Sequence, residues 1–271
     1  METAFIPFDR AADIYDATHS FPAGEERAIA ALIAQAGNLR RESCVLEVGV
    51  GTGRIALPLA RYVERLYGID LSRPMMKQLR SKPDASAIRL SEANAPRLPF
   101  RRAAFDAVLL VHVLHLIADR RRALREIARV LKPDGLLLCG GDTGDMLQGE
   151  LFAPIWSAWR AALPAEKIES VGLTQPVREA LPPLGWRPVG APWQHSYTVQ
   201  RTPNGAYRAI EERQLSNTNT WRLSDAELEH GLRAVRAAIA AHFPQPGQLL
   251  ALNVTFEVQA FQPPQAIQHT A

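Results

Sequence analysis

The chain reads as an α/β protein built on a doubly wound, mostly parallel seven-stranded sheet with helices on both faces and a helical lid insertion. Three observations predict this. Short apolar runs alternate with amphipathic stretches across residues 25–142. The intervals between successive runs leave room for helical crossovers, which parallel strands require. The runs are apolar throughout rather than every second residue, as strands buried on both faces are.

The elements follow in order. EERAIAALIAQAG (25–37) places Ile29, Leu32 and Ile33 on one helical face and stops at Gly37. CVLEV (44–48) is the first strand, followed by a glycine cluster and by RIALPLARYV (54–63), read as a helix. RLYGID (65–70) is the second strand, RPMMKQLRSK (73–82) a helix with Pro74 in its first turn, and AIRLSE (87–92) the third strand. FDAVLLV (105–111) is the fourth, RRRALREIARVL (120–131) an amphipathic helix, Lys132–Gly135 a turn, and LLLCGG (136–141) the fifth. Beyond Asp142 the rhythm loosens. Two last strands are expected at HSYTVQ (195–200) and LNVTFEVQAF (252–261), separated by two helices. The second of these starts at Ser224 as N-cap, with Glu227 three residues on. Residues 1–142 thus form a first half with an N-terminal helical arm. Residues 143–271 complete the sheet and carry helical cap or lid insertions near 145–165 and 203–243.

Composition narrows the function classes. Lys and Arg number 31 against 28 Asp and Glu, a net charge of +3, too small and too scattered for a phosphate-tracking stripe, so no nucleic-acid partner is expected. Hydrophobic residues at 47% and charged residues at 22% exclude disorder and fibrous classes. The N-terminal METAFIPFDRAADIYD has no apolar signal core, and no run approaches the length of a membrane span. A cytoplasmic protein is expected. Cys44 and Cys139, each inside an apolar run, read as packing residues, and without further thiols a Cys/His metal site has no raw material.

The chemistry concentrates in Glu47-Val48-Gly49-Val50-Gly51-Thr52-Gly53, where the first strand turns toward a helix. Glycines at 49, 51 and 53 let the backbone bend and approach a ligand that a Cβ would push away. A dinucleotide fingerprint, Gly-x-Gly-x-x-Gly, would need glycine where Arg54 stands, and no Gly-Lys-Ser/Thr follows as in a P-loop. A nucleoside ligand without pyrophosphate fits better. Asp70 ends the second strand 19 residues beyond Gly51, where a carboxylate can accept both ribose hydroxyls. Its other reading is an N-terminal acid for the helix that follows Ser72.

Taken together and in order, LEVGVGTGRIA, YGIDLS, NAPRLPF, FDAVLLVHVLHLI and RVLKPDGLLL resemble the Rossmann-like class I S-adenosylmethionine-dependent methyltransferases, in particular the small-molecule, methyltransferase type 11 branch similar to quinone and sterol methyltransferases. The resemblance covers roughly residues 10–142. It implies S-adenosyl-L-methionine as cofactor. Glu47 and the backbone of Gly49 and Gly51 would face its methionine end, Asp70 its ribose and Leu71 its adenine. Where relatives commonly carry Asp, this chain has Asn94, followed by Ala95; the amide oxygen can still accept from the adenine amino group. Tyr15, in the arm, resembles a tyrosine that closes over the cofactor. Its other reading is a packed aromatic.

His112-Val113-Leu114-His115 follows the fourth strand. His112 stands as general base for a hydroxyl acceptor or as a donor orienting the cofactor, and His115 is expected to pack at the start of the next helix. Phe152, Trp156 and Trp159 fall at helical spacing, either as core or as lining of an acceptor pocket, with Trp221 a further candidate. The reading is a methyltransferase acting on a small, partly apolar molecule, as monomer or homodimer. The rivals are an RNA, amino-group or protein methyltransferase, and a non-catalytic S-adenosylmethionine-binding protein. The amine and RNA enzymes usually carry an Asn/Asp-Pro-Pro-aromatic turn where this chain has His112–His115.

Overall fold

A computed structural model describes residues 9, 12–144, 151–164, 181–213, 220 and 223–264. The elements are α1 (Tyr15–His19), α2 (Glu25–Ala36), β1 (Cys44–Val48), α3 (Ala56–Leu59), β2 (Arg65–Asp70), α4 (Arg73–Arg80), β3 (Ile88–Glu92), β4 (Phe105–Val111), α5 (Arg120–Val130), β5 (Leu131–Gly144), α6 (Ala153–Ala161), β6 (Arg187–Arg201), α7 (Pro203–Glu211), α8 (Asp225–His242) and β7 (Leu250–Gln262). The seven strands form one sheet in the order β3-β2-β1-β4-β5-β7-β6, with parallel pairing from β3 through to β5.

Strand periodicity assigns the faces. Cys44, Leu46 and Val48 of β1 and Leu137 and Cys139 of β5 join one apolar core with Ala123, Leu124 and Ile127 of α5. Leu138, one residue out of phase, faces the other way and meets the end of α2 at Gly37. Glu47 lies on that opposite face too. Helices therefore cover both sides of the sheet, as the unbroken apolar strands require.

Two local differences from the sequence reading have physical causes. The helix expected over 54–63 is regular only over Ala56–Leu59. Pro58 lacks an N–H, and beyond it Arg61 and Tyr62 bond three residues back, to Pro58 and Leu59. The turn expected at Lys132–Gly135 lies inside β5: Phe105 pairs with Leu131 and Ala107 with Leu136, so the intervening residues bulge out of the ladder. Asp106 steadies this bulge by accepting from Lys132 at 2.7 Å and from the Cys44 N–H at 2.8 Å.

The chain divides into two compact units, one of the described residues of 1–141, 174–195 and 256–271, the other of those of 142–173 and 196–255. The second unit is helical apart from strand ends. The predicted capping box of α8 is present, Ser224 and Glu227 each bonding the other's backbone N–H. Gly231, Leu232, Val235 and Ile239 form its buried stripe. The segments 145–150, 214–219 and residues 221–222 of the expected insertions lie outside the described residues. Among the described residues no helix is long and apolar enough to cross a membrane.

Candidate functional site

In a doubly wound sheet the strand order reverses where two crossovers leave in opposite directions, and ligands bind at the strand C-termini there. Here that point lies between β1 and β4. The register sets Val48 beside both Ile69 and Leu110, so the turn after β1, Asp70 at the tip of β2 and His112 after β4 converge within the first unit.

The turn after β1 takes a backbone that only glycine adopts without strain. Gly49, Gly51 and Gly53 have φ of 77°, 54° and 84°. The N–H groups of Gly49 and Val50 both donate to Ile69 O, at 2.8 and 2.9 Å, holding the turn against β2. A Cβ on Gly49 would lie 2.5 Å from Val113 Cγ2, whereas one on Gly51 would meet nothing nearer than Met75 Cε at 3.9 Å. Gly49 is therefore constrained by packing, and Gly51 keeps an open cradle.

Asp70 bonds the backbone of both turns. Its Oδ2 accepts from the Gly51 N–H and its Oδ1 from the Ser72 N–H, both at 2.8 Å. The cap of α4 itself is Ser72, whose hydroxyl accepts from the Met75 N–H. Asp70 thus pins two strand-to-helix turns together. Burial raises its pKa, opposed by the N–H groups of Ser72, Gly51 and Leu71. Leu71 is 38% exposed, an apolar surface offered at the strand tip.

Glu47 is only 3% exposed. One carboxylate oxygen takes the N–H of Ala56 at the start of α3, while Oε2 meets no hydrogen-bond partner among the described residues. Burial pushes its pKa up to about 8, moderated by the charge of Arg54. A buried carboxyl oxygen without a donor costs free energy unless a cation or donor arrives.

The arm reaches the site through acids the sequence reading did not single out. Asp16 accepts from Thr52 Oγ1 at 2.6 Å and pairs with Lys82 at 2.5 Å, and Lys82 also donates to Thr52 O at 2.7 Å. Asp9 takes the Ser72 hydroxyl at 2.6 Å and Asp13 the Gln78 amide at 2.7 Å. The three acids recur at 9, 13 and 16, three to four residues apart, a signal present in the sequence. This fastening brings Tyr15 to the turn. Its ring stacks on His19 at 4.4 Å. Burial raises the pKa of its hydroxyl, with Arg54, Asp70 and Glu47 among the charges that act on it.

His112 ends β4 in the left-handed region, with φ 52°, a strained conformation for a side-chain-bearing residue and one that clusters at functional sites. Its N–H donates to Gly140 O at 3.3 Å and its ring lies over Gly141, edge-on to Phe256 at 6.4 Å. Phe256 in turn meets Phe21 at 5.8 Å. Asn94 is exposed, its carbonyl taking the Arg97 N–H at 2.8 Å. The Ala95 methyl is buried in the core with Ile69 and Leu98, which leaves its backbone as the part able to meet a ligand.

His115, expected to pack at a helix start, instead lies exposed in a 3-10 turn, its carbonyl taken by Arg120. Phe152, Trp156 and Trp159 are buried in the second unit, where Phe152 meets Phe243 at 5.8 Å and Trp159 fills the space left by Gly231. That is the core role. Trp221 lies outside the described residues. No group of three or more His, Cys, Asp or Glu suited to a metal occurs among the described residues.

Comparison with known proteins agrees with this geometry. Residues 46–139 match the methyltransferase domain family. The chain is 33% identical over 135 residues to an uncharacterized methyltransferase of Bacillus subtilis, YcgJ, covering 49% of this chain and 52% of that one. It is 28% identical over 179 residues to a demethylmenaquinone methyltransferase of Streptomyces avermitilis, covering 65% and 68%. The chain thus spans about half the length of the first of these relatives. The crystal structure of YcgJ has the same fold, with a TM-score of 0.54 at 20% identity over 88% of this chain and 98% of that one. The resemblance to class I methyltransferases of the small-molecule kind is borne out.

Proposed function

We propose that this chain, whose residues 46–139 match the methyltransferase domain family, binds S-adenosyl-L-methionine at the tips of β1, β2 and β4 and methylates a small, partly apolar molecule. The observation that carries the reading is Glu47. A buried carboxyl oxygen without a donor, beside a glycine turn open at Gly51, suits a ligand that brings an ammonium and lies against backbone. A pyrophosphate would meet the carboxylate of Asp70 and bring no donor to Glu47.

When bound, S-adenosylmethionine supplies an activated methyl group for in-line displacement. The chain's own residues bind, orient and exclude water. Glu47 receives the ammonium, the open backbone at Gly51 within the Gly49–Gly53 turn lets the ligand approach, and Asp70 accepts from the ribose. Leu71, Asn94 and Ala95 serve the adenine, and Tyr15 closes the site from the arm. His112, directly after β4, takes the proton of a hydroxyl acceptor. The named relative that acts on demethylmenaquinone supports a quinol-like acceptor.

The segments 145–165 and 203–243 are proposed as the lid, tested by their hydrogen exchange with and without cofactor. The activity itself is tested by S-adenosylhomocysteine release across a panel of quinols, phenols and sterols. Release with a quinol or phenol supports the reading. Tight cofactor binding without turnover on any acceptor would favour a binding protein.

A further inference from the structure

Arg54 stands directly after the third glycine of the turn, and its side chain joins three parts of the first unit. Nη1 donates to His19 O at 2.8 Å, tying the turn to the end of α1. The guanidinium lies over the Phe21 ring, 4.3 Å from its centroid. Phe21 then passes the contact to Phe256 and so to the ring of His112. Its charge also acts on Glu47 and on the Tyr15 hydroxyl, in both cases opposing the effect of burial.

The commitments of the guanidinium matter as much as its charge. Bound to a carbonyl and stacked on a ring, it lends positive potential to Glu47 while Oε2 stays without a donor. An arginine suits this because its planar fork bonds and stacks at once, which a lysine ammonium does not. The groups that interact with Glu47 are Arg54, the carboxylate of Asp70, the Tyr15 hydroxyl and the Ala56 N–H, and Arg54 is the positive charge among them.

We propose that Arg54 is a positioning residue that fastens the arm of residues 12–21 onto the glycine turn and readies Glu47 to receive a cationic ligand group. Arm order and ligand charge are thereby coupled through one side chain. The ligand half of this rests on the reading of the site as one for S-adenosylmethionine; the arm half does not.

The test uses Arg54→Ala, Arg54→Lys and Arg54→Gln in the full chain, with S-adenosylhomocysteine as probe because it keeps the ammonium. Two readouts are taken: amide hydrogen exchange of residues 12–21 without ligand, and the pH midpoint of probe binding. Arg54→Ala and Arg54→Gln speed arm exchange at least about tenfold, the effect of losing a hydrogen bond to a charged group. Both also move the binding midpoint upward by about one pH unit, the effect of removing an opposite charge close to a carboxylate. Arg54→Lys keeps the wild-type midpoint while speeding arm exchange. Should the alanine variant not fold, the lysine and glutamine pair carries the same contrast. A purely structural clamp would weaken binding equally at every pH. An unmoved midpoint in Arg54→Gln, or arm exchange equal to wild type, overturns the assignment. Wild-type protein that binds no probe, with arm exchange still faster in the variants, would sink the cofactor reading and leave the arm fastening intact.

Discussion

The carboxylate of Asp70 holds the backbone N–H of Gly51 at 2.8 Å, across the gap between the turn that leaves β1 and the turn that leaves β2. A side chain read from the sequence as a ribose acceptor or as an N-terminal acid for the next helix is a tie between two turns. Through the Ser72 N–H it secures the start of α4, and through Gly51 the floor of the cradle.

Asp70→Ala accordingly loses on two counts. Cofactor affinity falls by about 1.5–3 kcal/mol, and unfolding free energy falls by roughly 1–3 kcal/mol because two backbone donors lose their acceptor. Titration calorimetry and urea unfolding on the same sample separate the two. A variant with wild-type stability would mean that water replaces the carboxylate at both amides.

The glycines of the turn separate folding from binding. Gly49→Ala combines a left-handed backbone with a Cβ 2.5 Å from Val113, and should destabilise the fold by more than about 2 kcal/mol. Gly51→Ala carries only the backbone cost of about 1–2 kcal/mol, yet its methyl projects into open space where the ligand is assigned. Gly51→Ala should fold and fail to bind cofactor. Full affinity in that variant would move the ligand away from the cradle.

Glu47 gives the ligand-free protein a pH signature. The folded state holds the proton up to about 8, while the exposed group releases it near 4.5. Because the native state binds the extra proton, its contribution to stability is complete below about 4.5 and is lost as pH rises through about 8. Glu47→Gln removes this titration. The variant should gain on wild type by roughly 1–3 kcal/mol between pH 5 and pH 8 without ligand, measured by urea unfolding at both values, and should lose most of its cofactor affinity. A stability difference that stays flat over that range would show Glu47 ionised in the native protein.

For His112 the expected variant is Asn, which tolerates the left-handed backbone better than most residues. With His112 as general base, His112→Asn lowers kcat by about a hundredfold or more with the donor KM unchanged. Retained kcat with an altered donor KM would make His112 a cofactor-orienting group.

Much of the sheet was legible because buried parallel strands are unbroken apolar runs: β2 and β4 span the residues expected, and β1 ends at the acid and glycines that define the turn. The glycine positions were legible because a left-handed backbone leaves few alternatives. What was hidden depends on side chains meeting across long sequence separations. Asp16 finds Thr52 and Lys82, Asp9 finds Ser72, and Arg54 finds the His19 carbonyl. No local pattern encodes those pairs, although the spacing of the three acids hinted at a docked face. The left-handed turn at His112 was likewise invisible, since no spacing or neighbouring residue in the sequence marks it.

The central claim is that the cradle takes an adenosine carrying an amino acid. Titration calorimetry of the full chain with S-adenosylmethionine, S-adenosylhomocysteine and NADH tests it most directly. The expected result is one site per chain for both nucleosides, weak or no binding of NADH, and loss of nucleoside binding in Glu47→Gln. Tighter binding of NADH than of either nucleoside, or unchanged nucleoside affinity in Glu47→Gln, would contradict it.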